Sequence, residues 1–379
     1  MIAMTGKTDT LIIGGGIIGL LTARELALSG QSVTVLERNP RAGLESSWAG
    51  GGILSPLYPW RYPDAVTDLS VIGHKEYPKL AEELFQSTGI DPEFIRSGHL
   101  ILDTEEQSQA KPWAKEFSKK ISLDRKIQYL SRIGRKELAM IEPELSGNFH
   151  SAFWLPVVGQ IRNPRMMKSL IKDLVQRGVK IITDMPVEKI NQQAGKVVSV
   201  ETREGKWSAE NYLIAAGAWT GSILKDTGLS LDVEPVRGQM ILFKTEPGRL
   251  RRIILNNGKY LIPRKDGHIV AGSTLEYVGF NKETTDVGCR QLMRSAVDIA
   301  PFLENVAVVS QWSGLRPGST DGTPTIDRHP ELNNLVICSG HFRNGVIIGL
   351  GSARIAAALL QDKSLRNDLK ASTNPYHIR

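Results

Sequence analysis

The chain has only two cysteines among its 379 residues, Cys289 and Cys338. Their spacing fits neither a disulfide framework nor a metal site, so we expect two reduced structural thiols and no bound metal. No apolar run reaches the about 20 residues that a membrane helix needs, since four glycines interrupt the longest one, LIIGGGIIGLLTA. The first nine residues also lack the charged-then-apolar order of a secretion signal. The sequence therefore predicts a cytoplasmic protein with no membrane partner.

The charge pattern lacks the features of a nucleic-acid-binding protein. The formal net charge is +7, which favours anionic ligands, but basic clusters such as GRLRR at 248–252 carry no interleaved aromatic residues. Hydrophobic residues make up 41% of the chain and charged residues 23%, close to globular averages. No internal repeat or long linker is present. We therefore expect no nucleic-acid partner and either two domains or one large domain.

The first recognisable pattern is a strand, a tight turn, a helix and a second strand. TLII at 10–13 is predicted as a buried strand, 17–28 as a helix that Gly30 ends, and VTVLE at 33–37 as the second strand. The turn contains GGGIIG, which matches Gly-x-Gly-x-x-Gly directly after a strand and at the start of a helix. This βαβ unit is the context that a dinucleotide-binding fingerprint requires.

Each glycine of the fingerprint has a separate physical role. Gly14 allows the tight turn, Gly16 lets a pyrophosphate approach the backbone, and Gly19 lets helix and strand pack closely. The helix then presents unpaired N–H groups, among them those of Ile17 and Ile18, and a partial positive charge to the phosphates. The sequence thus predicts a bound dinucleotide, and the alternative is a glycine-rich turn that only packs.

The identity of the dinucleotide follows from the rest of the chain. Glu37, 21 residues after Gly16, is placed to accept hydrogen bonds from ribose hydroxyls. Reduction of a flavin by a nicotinamide usually needs a second fingerprint, and GLG at 349–351 lies inside a predicted helix over 345–360. A simple NAD dehydrogenase would keep its nucleotide fold in one block, whereas a late strand, YLIAAG at 212–217, ends in small residues that suit a buried cofactor. These points favour FAD that an organic substrate reduces directly.

Helical and β patterns follow each other along the remaining chain. Apolar residues repeat at helical spacing in its first half, and short apolar runs bounded by turn signals dominate later. The predicted elements are amphipathic helices within 73–142, a helix at 163–178 that starts with Asn163 as N-cap, strands at 179–183, 197–203 and 212–217, a turn at 204–207, and short strands over 233–311.

Arg316 lies in an unusual local composition. The segment WSGLRPGSTDGTPTID, residues 312–327, is rich in glycine, proline and small polar residues. That composition predicts a turn-rich crossing in place of regular structure. The structural explanation for the guanidinium is an ion pair with Asp321 or Asp327.

Taken together, these motifs make the chain similar to the D-amino-acid oxidase superfamily and, within it, to the glycine oxidase family that is linked to thiamine biosynthesis. The resemblance covers nearly the whole chain. It rests on the fingerprint with Glu37 and Arg38, SSWAGGGILSP (46–56), AAGAW (215–219), PVRGQMI (235–241), YLIPR (260–264), SGLRPGSTDGTP (313–324) and GHFRNG (340–345).

The resemblance implies an α/β fold in which a Rossmann-like FAD-binding domain is interleaved with an α+β substrate-binding domain built on an antiparallel sheet. The FAD-binding domain is expected to be discontinuous, over 9–85, 150–222 and 312–366. The substrate-binding domain is expected over 86–149 and 223–311.

The resemblance also implies the residues around FAD. Relatives that demethylate N-methyl amino acids often bind the flavin through a cysteine near the 316–324 segment, and this chain has none there, so we expect non-covalent FAD. In chain order, the expected contacts are first with the adenosine and pyrophosphate half of FAD, then with the flavin side, and then with the adenine edge. The last contacts come from a loop around the flavin pyrimidine. A helix from Gly345 is expected to point its positive end at the flavin ring. The expected contacts are Gly14, Gly16, Ile17, Ile18, Gly19, Glu37, Arg38, Ser46, Ser47, Gly51, Gly52, Ile53, Val187, Gly217, His341, Phe342, Arg343, Asn344, Gly345, Val346 and Ile347.

Three residues are implied for the substrate. Arg316 is expected to form a bidentate pair with an amino-acid carboxylate, Arg343 a second contact, and Tyr260 a hydroxyl donor to the same group. The simpler explanations are a core tyrosine at 260 and, for His341, a loop histidine with local hydrogen bonds. No side-chain base is required if a neutral amine delivers hydride to flavin N5.

The implied reaction is oxidative deamination of glycine, sarcosine or small D-amino acids to an α-keto acid, which is glyoxylate from glycine. Ammonia and, with dioxygen as acceptor, hydrogen peroxide are the other products, and relatives suggest a homo-oligomer, a tetramer. The alternatives are a D-amino-acid dehydrogenase that passes electrons to a quinone, a non-catalytic flavin-binding subunit, and a flavin domain that acts on tRNA nucleosides.

Overall fold

The computed structural model describes residues 8–363 and 376–378. The strands among them are β1 Thr8–Ile13, β2 Val33–Leu36, β3 His99–Leu102, β4 Ser131–Gly134, β5 Ser151–Leu155, β6 Lys180–Ile182, β7 Val187–Gln193, β8 Lys196–Thr202, β9 Gly205–Trp207, β10 Ala209–Ile214, β11 Glu234–Lys244, β12 Ile253–Asn256, β13 Lys259–Pro263, β14 His268–Gly272, β15 Val308–Gly318, β16 Thr325–Arg328 and β17 Leu335–Ser339.

Helices connect these strands. The α-helices are α1 Ile17–Leu28, α2 Ser46–Ala49, α3 Asp64–Thr88, α4 Gln107–Lys120, α5 Arg135–Ile141, α6 Asn163–Gln176, α7 Thr220–Leu224, α8 Asp286–Ile299 and α9 Gly349–Leu360, with 3₁₀ turns at Pro59–Arg61, Gly217–Trp219, Lys225–Thr227 and Pro301–Asn305. In the part of the chain that the structure describes, no helix combines the length and apolar character needed to cross a bilayer.

The first sheet has the strand order β16-β17-β10-β1-β2-β6 and is parallel apart from its edge strand β16. Leu11 and Ile12 of β1 are both fully buried, although their side chains point to opposite faces. One face packs against α1, α3, α6 and α9, and the other against the three-stranded sheet β7-β8-β9. Burial on both faces explains the near-continuous apolar sequence of these strands.

The second sheet has the order β15-β11-β14-β13-β12-β3-β5-β4 and is antiparallel except where β12 pairs with β3. Leu292 and Ala296 of α8 pack against one face through Ile241 and Phe243. The other face carries Tyr260 and points toward the parallel sheet. The structure therefore confirms the predicted α/β fold with an antiparallel second sheet.

The prediction of a turn-rich segment around Arg316 was wrong. Residues 308–318 form the eleven-residue strand β15, and turns occupy only the residues between β15 and β16. β15 tolerates Pro317 because it is an edge strand paired only with β11, where Pro317 lies opposite Pro235. Proline cannot donate a backbone hydrogen bond, which excludes it from a central strand but not from an edge strand with one unpaired side.

Three smaller boundaries also differ from prediction. Helix α9 begins at Gly349 and not at Gly345, because residues 345–348 form hydrogen-bonded turns on Asn344 and Val346. The predicted turn at 204–207 tightens to two residues, since Thr202 pairs directly with Gly205. Asn163 is the first residue of α6, not its N-cap, and its side chain instead donates to the Ser47 carbonyl.

The predicted domain boundaries stay a prediction, although sheet membership bears on two of them. Strand β5, expected in the FAD-binding segment 150–222, pairs with β3 and β4 in the second sheet. Strand β15 crosses the expected boundary at 311/312. Residues 364–366 of the last expected segment lie outside the described residues, as do the first seven residues.

Candidate functional site

One cavity between the two sheets brings together nearly all the predicted site residues. Gly19 is the exception, since it packs between α1 and the Gly14 carbonyl and does not reach the lining. The lining includes Gly14, Gly16, Ile17, Ile18, Glu37, Arg38, Ser46, Ser47, Gly51, Gly52, Ile53, Val187, Gly217, Tyr260, Arg316, His341, Phe342, Arg343, Asn344, Gly345, Val346 and Ile347.

The fingerprint turn leaves room for a ligand at one glycine and not at the others. Gly14 has φ +112°, and a Cβ there would lie 2.4 Å from the Ala215 carbonyl oxygen. A Cβ on Gly19 would lie 2.1 Å from the Gly14 carbonyl oxygen. At Gly16 such a Cβ would meet only the Ser47 hydroxyl within 4 Å, at 3.3 Å, so no backbone atom obstructs this position. The turn fits the close approach of a pyrophosphate at the N-terminus of α1.

Glu37 supports the fingerprint turn from the end of β2. Its Oε2 accepts a hydrogen bond from the Gly15 amide at 2.9 Å, and its Oε1 accepts from the Asn39 amide and Nδ2 at 2.8 and 2.9 Å. Burial raises the pKa of this carboxyl above its ordinary value. Because each carboxylate oxygen has two lone pairs, acceptor capacity is left for ribose hydroxyls.

Residues 46–53 line the cavity where it faces the second sheet. Ser47 Oγ accepts a hydrogen bond from the Ile17 amide at 2.8 Å, which joins this segment to the start of α1. Gly52 has φ +74°, and a Cβ on it would lie 2.0 Å from the Ile161 carbonyl oxygen. A Cβ on Gly51 would lie 2.6 Å from Ile262 Cδ1. The glycines therefore let the chain lie flat against β13 beside the cavity.

The loop after β17 contributes neutral polar side chains to the cavity wall in addition to Arg343. Burial lowers the pKa of His341 to about 3, so its imidazole is uncharged at neutral pH. Cys338, which the sequence did not assign to the site, lines the cavity 3.9 Å from His341 Nε2. Among the described residues, the buried Asn344 Nδ2 has no hydrogen-bond partner. A donor left unpaired at the cavity wall fits an acceptor on a bound flavin.

Arg316 lies on β15 with its guanidinium across the neighbouring strand β11. Nη2 donates to Ser273 Oγ at 2.7 Å and Nη1 to the Thr274 carbonyl at 3.2 Å. A Cβ on Gly238 would lie 2.1 Å from Nη2, so this glycine makes the position possible. Burial and then the nearby Arg343 lower the pKa of Arg316 to about 10, which leaves it charged at neutral pH.

The ion pair considered for Arg316 from the sequence does not form with Asp327, which pairs with His377 at 2.8 Å. Over residues 8–363 and 376–378, no ion pair joins the Arg316 guanidinium to a carboxylate. Both of its hydrogen bonds go to neutral oxygens. The charge is therefore free to pair with an anionic ligand.

Tyr260 and Arg343 line the same cavity as Arg316. The Tyr260 hydroxyl lies 3.5 Å from Met240 Sδ, and its ring would meet a Cβ on Gly51 at 3.2 Å. The alternative for Tyr260 was a tyrosine of the hydrophobic core. The side chain is buried, as that alternative requires, but it also borders the cavity. Arg343 also borders a second cavity, beside residues 57–63.

Lys259 is a cation that sequence reasoning missed. Its Nζ donates to the Ser273 carbonyl at 2.9 Å, so it contacts the same residue as Arg316. Burial, and then Arg343 and Arg316, lower the pKa of Lys259. Lys259 directly precedes Tyr260 of the YLIPR motif, but only the pairing of β13 with β14 brings it to Ser273, which Arg316 also contacts. Ser273, which contacts both Lys259 and Arg316, belongs to none of the motifs that carry the resemblance. Gly238, which lies against the Arg316 guanidinium, appears there only as part of PVRGQMI.

The described residues contain no group of histidine, cysteine or carboxylate side chains arranged to bind a metal ion. The cavity is lined by glycine-rich backbone, neutral polar side chains, the carboxylates Glu37 and Glu45, and the cations Arg38, Arg316 and Arg343, and Lys259 contacts Ser273 of this lining. These residues fit a large dinucleotide in one half and a small anion in the other.

Comparison with known proteins agrees with this geometry. The chain is 41% identical to a glycine oxidase of Pseudomonas aeruginosa over 93% of its own length and 94% of that protein. It is 32% identical to a bifunctional ThiO/ThiG protein of Synechocystis over 95% of its own length and 52% of the relative, so it spans about half of that chain. The crystal structure of glycine oxidase from Geobacillus kaustophilus superposes with a TM-score of 0.90 at 27% identity, over 99% of both chains.

A family model described as DAO, FAD dependent oxidoreductase, matches residues 9–359. This range includes the fingerprint turn, both sheets and the loop after β17. The protein is therefore an enzyme with FAD as its cofactor, and the chain belongs to the DAO family of FAD-dependent oxidoreductases.

Proposed function

We propose that this enzyme catalyses the oxidative deamination of glycine and related small amines, sarcosine and small D-amino acids, with dioxygen as the electron acceptor. The observation that carries the proposal is the charged Arg316 guanidinium, which borders the FAD cavity and pairs with no carboxylate in the described chain. The likeness to glycine oxidases supports the choice of substrate.

The Arg316 guanidinium would bind the substrate carboxylate, with Arg343 as a second contact and the Tyr260 hydroxyl as a donor. Ser273 and Thr274 restrict the guanidinium by accepting two of its N–H groups, which leaves others for the ligand. Tyr260 is buried and borders the cavity, so its hydroxyl is placed to donate to the same carboxylate. These contacts orient the α-carbon, and orientation is the main contribution of a protein to such chemistry.

FAD would bind along the fingerprint turn, with Gly16, Ile17 and Ile18 at the pyrophosphate and Glu37 at the ribose. Residues 46–53 and 341–347 would flank the flavin. We propose that this binding is non-covalent. When bound, FAD supplies the two-electron oxidation by accepting a hydride from the substrate α-carbon.

The remaining residues set the protonation of the site. The cations Arg316, Arg343 and Lys259 favour an anionic carboxylate and oppose a protonated substrate amine. A neutral amine therefore matches the site without any side-chain base. The resulting imino acid is hydrolysed by water to an α-keto acid and the free amine, which gives glyoxylate and ammonia from glycine and glyoxylate and methylamine from sarcosine. A homo-oligomer, a cytoplasmic location and a link to thiamine biosynthesis stay predictions.

The test is anaerobic reduction of the purified holoenzyme. We expect glycine and sarcosine to bleach the flavin absorbance, with D-alanine, D-proline and L-alanine added separately to define chirality. Failure of every amine to bleach the flavin would contradict the proposal and favour a non-catalytic subunit. Peroxide formed in air without an added acceptor supports dioxygen, whereas turnover that requires an added quinone contradicts that part of it.

A further inference from the structure

Residues 276–283 form a loop whose two ends are fixed by one side chain. Arg237 exchanges both backbone hydrogen bonds with Glu276, at 2.9 and 3.0 Å, and its Nε donates to Glu276 Oε2 at 2.9 Å. Its Nη1 donates to the Glu283 carbonyl at 2.8 Å. Gln239 Nε2 adds a bond to Glu276 Oε1 at 2.8 Å. The base of the loop is therefore rigid, and any movement belongs to its tip.

Two side chains between these fixed ends, those of Phe280 and Lys282, reach the other side of the FAD cavity, and we call them the tip of the loop. Lys282 Nζ donates to both carboxylate oxygens of Glu45, at 3.1 and 3.2 Å. The Phe280 ring stacks on Trp219, with centroids 5.5 Å apart and planes inclined by 29°. The Lys282 carbonyl also accepts a hydrogen bond from Ser313 Oγ.

The residues that the tip contacts belong to the cavity wall itself. Arg38 donates to Glu45 Oε1 at 2.7 Å, and its guanidinium carbon lies 3.4 Å from the centroid of the Trp219 ring. Arg38, Glu45 and Trp219 all line the cavity, in the region of Glu37 and the fingerprint turn. Phe280 and Lys282 lie one layer further out, so the loop covers this part of the wall from outside.

We propose that residues 276–283 are a retaining loop for FAD, which leaves or enters when Lys282 and Phe280 release Glu45 and Trp219. This inference rests on the proposed placement of the dinucleotide along Gly16 and Glu37. The contacts at the tip are a half-exposed ion pair and a ring stack, which are weak enough to break and reform. The contacts at the base, which involve the buried Arg237, are too strong to break in this way.

Charge explains why the ion pair at the tip should control release. Burial would raise the pKa of Glu45, but hydrogen bonds and attraction from Arg38 and Lys282 lower it, so the carboxylate stays ionised at neutral pH. Both side chains are partly exposed, and salt screens such a pair. The rate of FAD release should therefore depend on ionic strength through Lys282.

The experiment measures FAD release from the holoenzyme as the rise in flavin fluorescence after dilution, at low and high KCl. We expect Lys282→Met to release FAD about threefold to fivefold faster than wild type at low salt, in line with the loss of one exposed pair. KCl should speed release from wild type and have little effect on Lys282→Met. Phe280→Ala should also release FAD faster but keep the salt response.

Lys265→Met is the matched control, because Lys265 forms an exposed ion pair with Asp91 at 3.3 Å, away from the cavity lining. It should release FAD at the wild-type rate, and Lys282→Arg should restore both rate and salt response. Equal release from Lys282→Met and Lys265→Met would overturn the retaining loop. Release is read without substrate, so failure of glycine to bleach the flavin would reject the proposed reaction separately.

Discussion

At the scale of a single residue, Gly238 determines where the Arg316 guanidinium lies. A Cβ at this position would come within 2.1 Å of Nη2 and 2.4 Å of Nη1, and Gly238 faces Gly314 across the β11–β15 pair. Gly238 leaves the space that the guanidinium occupies, whereas a Cβ on Gly314 would meet Ala49 Cβ at 2.7 Å. The position of the charge thus depends on a neighbouring strand as much as on the arginine.

Arg316→Met should raise the KM for glycine strongly while the FAD content of the purified enzyme stays near that of wild type. Loss of one charge-assisted contact costs about 2–4 kcal/mol, or roughly 30-fold to 1000-fold in binding. Steady-state kinetics and the flavin-to-protein absorbance ratio check both parts. Arg132→Met, at an exposed ion pair with Glu105, is the control, and an unchanged KM would remove Arg316 from the substrate site.

Gly238→Ala tests the position of the guanidinium without removing its charge. The added methyl group must displace Arg316, so we expect the KM for glycine to rise about tenfold or more, with a smaller change in unfolding free energy than a core substitution gives. Gly221→Ala is matched to it, because a Cβ on Gly221 meets no atom within 4 Å. Equal kinetics for the two variants would show that the site does not require the present path of the side chain.

The sequence identified site residues that belong to local motifs. It did not identify residues that contact each other only after distant strands pair. Glu37 and the fingerprint glycines follow from spacing within a single βαβ unit. Arg316 and Tyr260 came from the resemblance. Lys259 could not be found in this way, since its contact with the Ser273 carbonyl exists only after β13 and β14 pair.

At the scale of elements, three helices under the parallel sheet share one buried charge network. Arg24 of α1 donates to Asp173 of α6 at 3.0 Å and to Glu83 of α3 at 2.9 Å, and Arg177 donates to the same Asp173 at 2.8 Å. Burial would raise the pKa of Asp173, but the hydrogen bond from Arg177 and the charge of Arg24 lower it. Such a network fixes how these helices pack behind the fingerprint turn.

Asp173→Asn should lower the free energy of unfolding by about 2–3 kcal/mol, because it leaves the buried Arg24 short of an anionic partner. Urea unfolding should show a lower midpoint with an unchanged slope. Glu116→Gln, which breaks an exposed pair with Lys119, should leave the urea midpoint close to that of wild type. A similar small change for Asp173→Asn would mean that the network does not contribute to stability.

Helices and strands were predicted well where an apolar stretch lies between clear turn residues, as in α1 and the strands of the parallel sheet. Strand β15 was missed because local composition cannot show that a strand lies at a sheet edge, where proline and glycine are tolerated. The start of α9 was misplaced because the turn at 345–348 has the same small apolar residues as the helix itself.

At the scale of the whole molecule, burial keeps several histidines uncharged, and His99 and His341 have the lowest pKa values among them. Burial lowers the pKa of His99 and of His341 to about 3, from an ordinary value of 6.5. The unfolded chain therefore binds more protons than the folded chain between pH 6.5 and about 3, and the free energy of unfolding falls as pH falls through that window. Above pH 6.5 the contribution of both groups to stability is complete.

His99→Leu should reduce this loss of stability, since neither nitrogen of His99 has a hydrogen-bond partner among the described residues. Between pH 6.5 and 5 we expect the decrease in unfolding free energy to be smaller than in wild type by about 1.5 kcal/mol. Urea unfolding at the two pH values with excess FAD measures it. The exposed His150, replaced by Gln, should keep the wild-type decrease, and an equal decrease in His99→Leu would contradict the assignment.

The overall architecture was accessible from sequence because a βαβ unit and the family motifs recur at characteristic places along the chain. It was harder to predict from the sequence which strand belongs to which sheet. Strand β5 pairs in the second sheet although its neighbours in sequence include α6 of the first, and only pairing with β3 and β4 determines this.

The strand order of the parallel sheet has a consequence for biosynthesis. β1 lies beside β10, which lies beside β17, so adjacent strands are made far apart in time on the ribosome. The cavity wall at 341–347 follows β17 directly. During synthesis the fingerprint turn therefore emerges long before the flavin-facing wall, and the cavity is complete only once β17 has paired with β10.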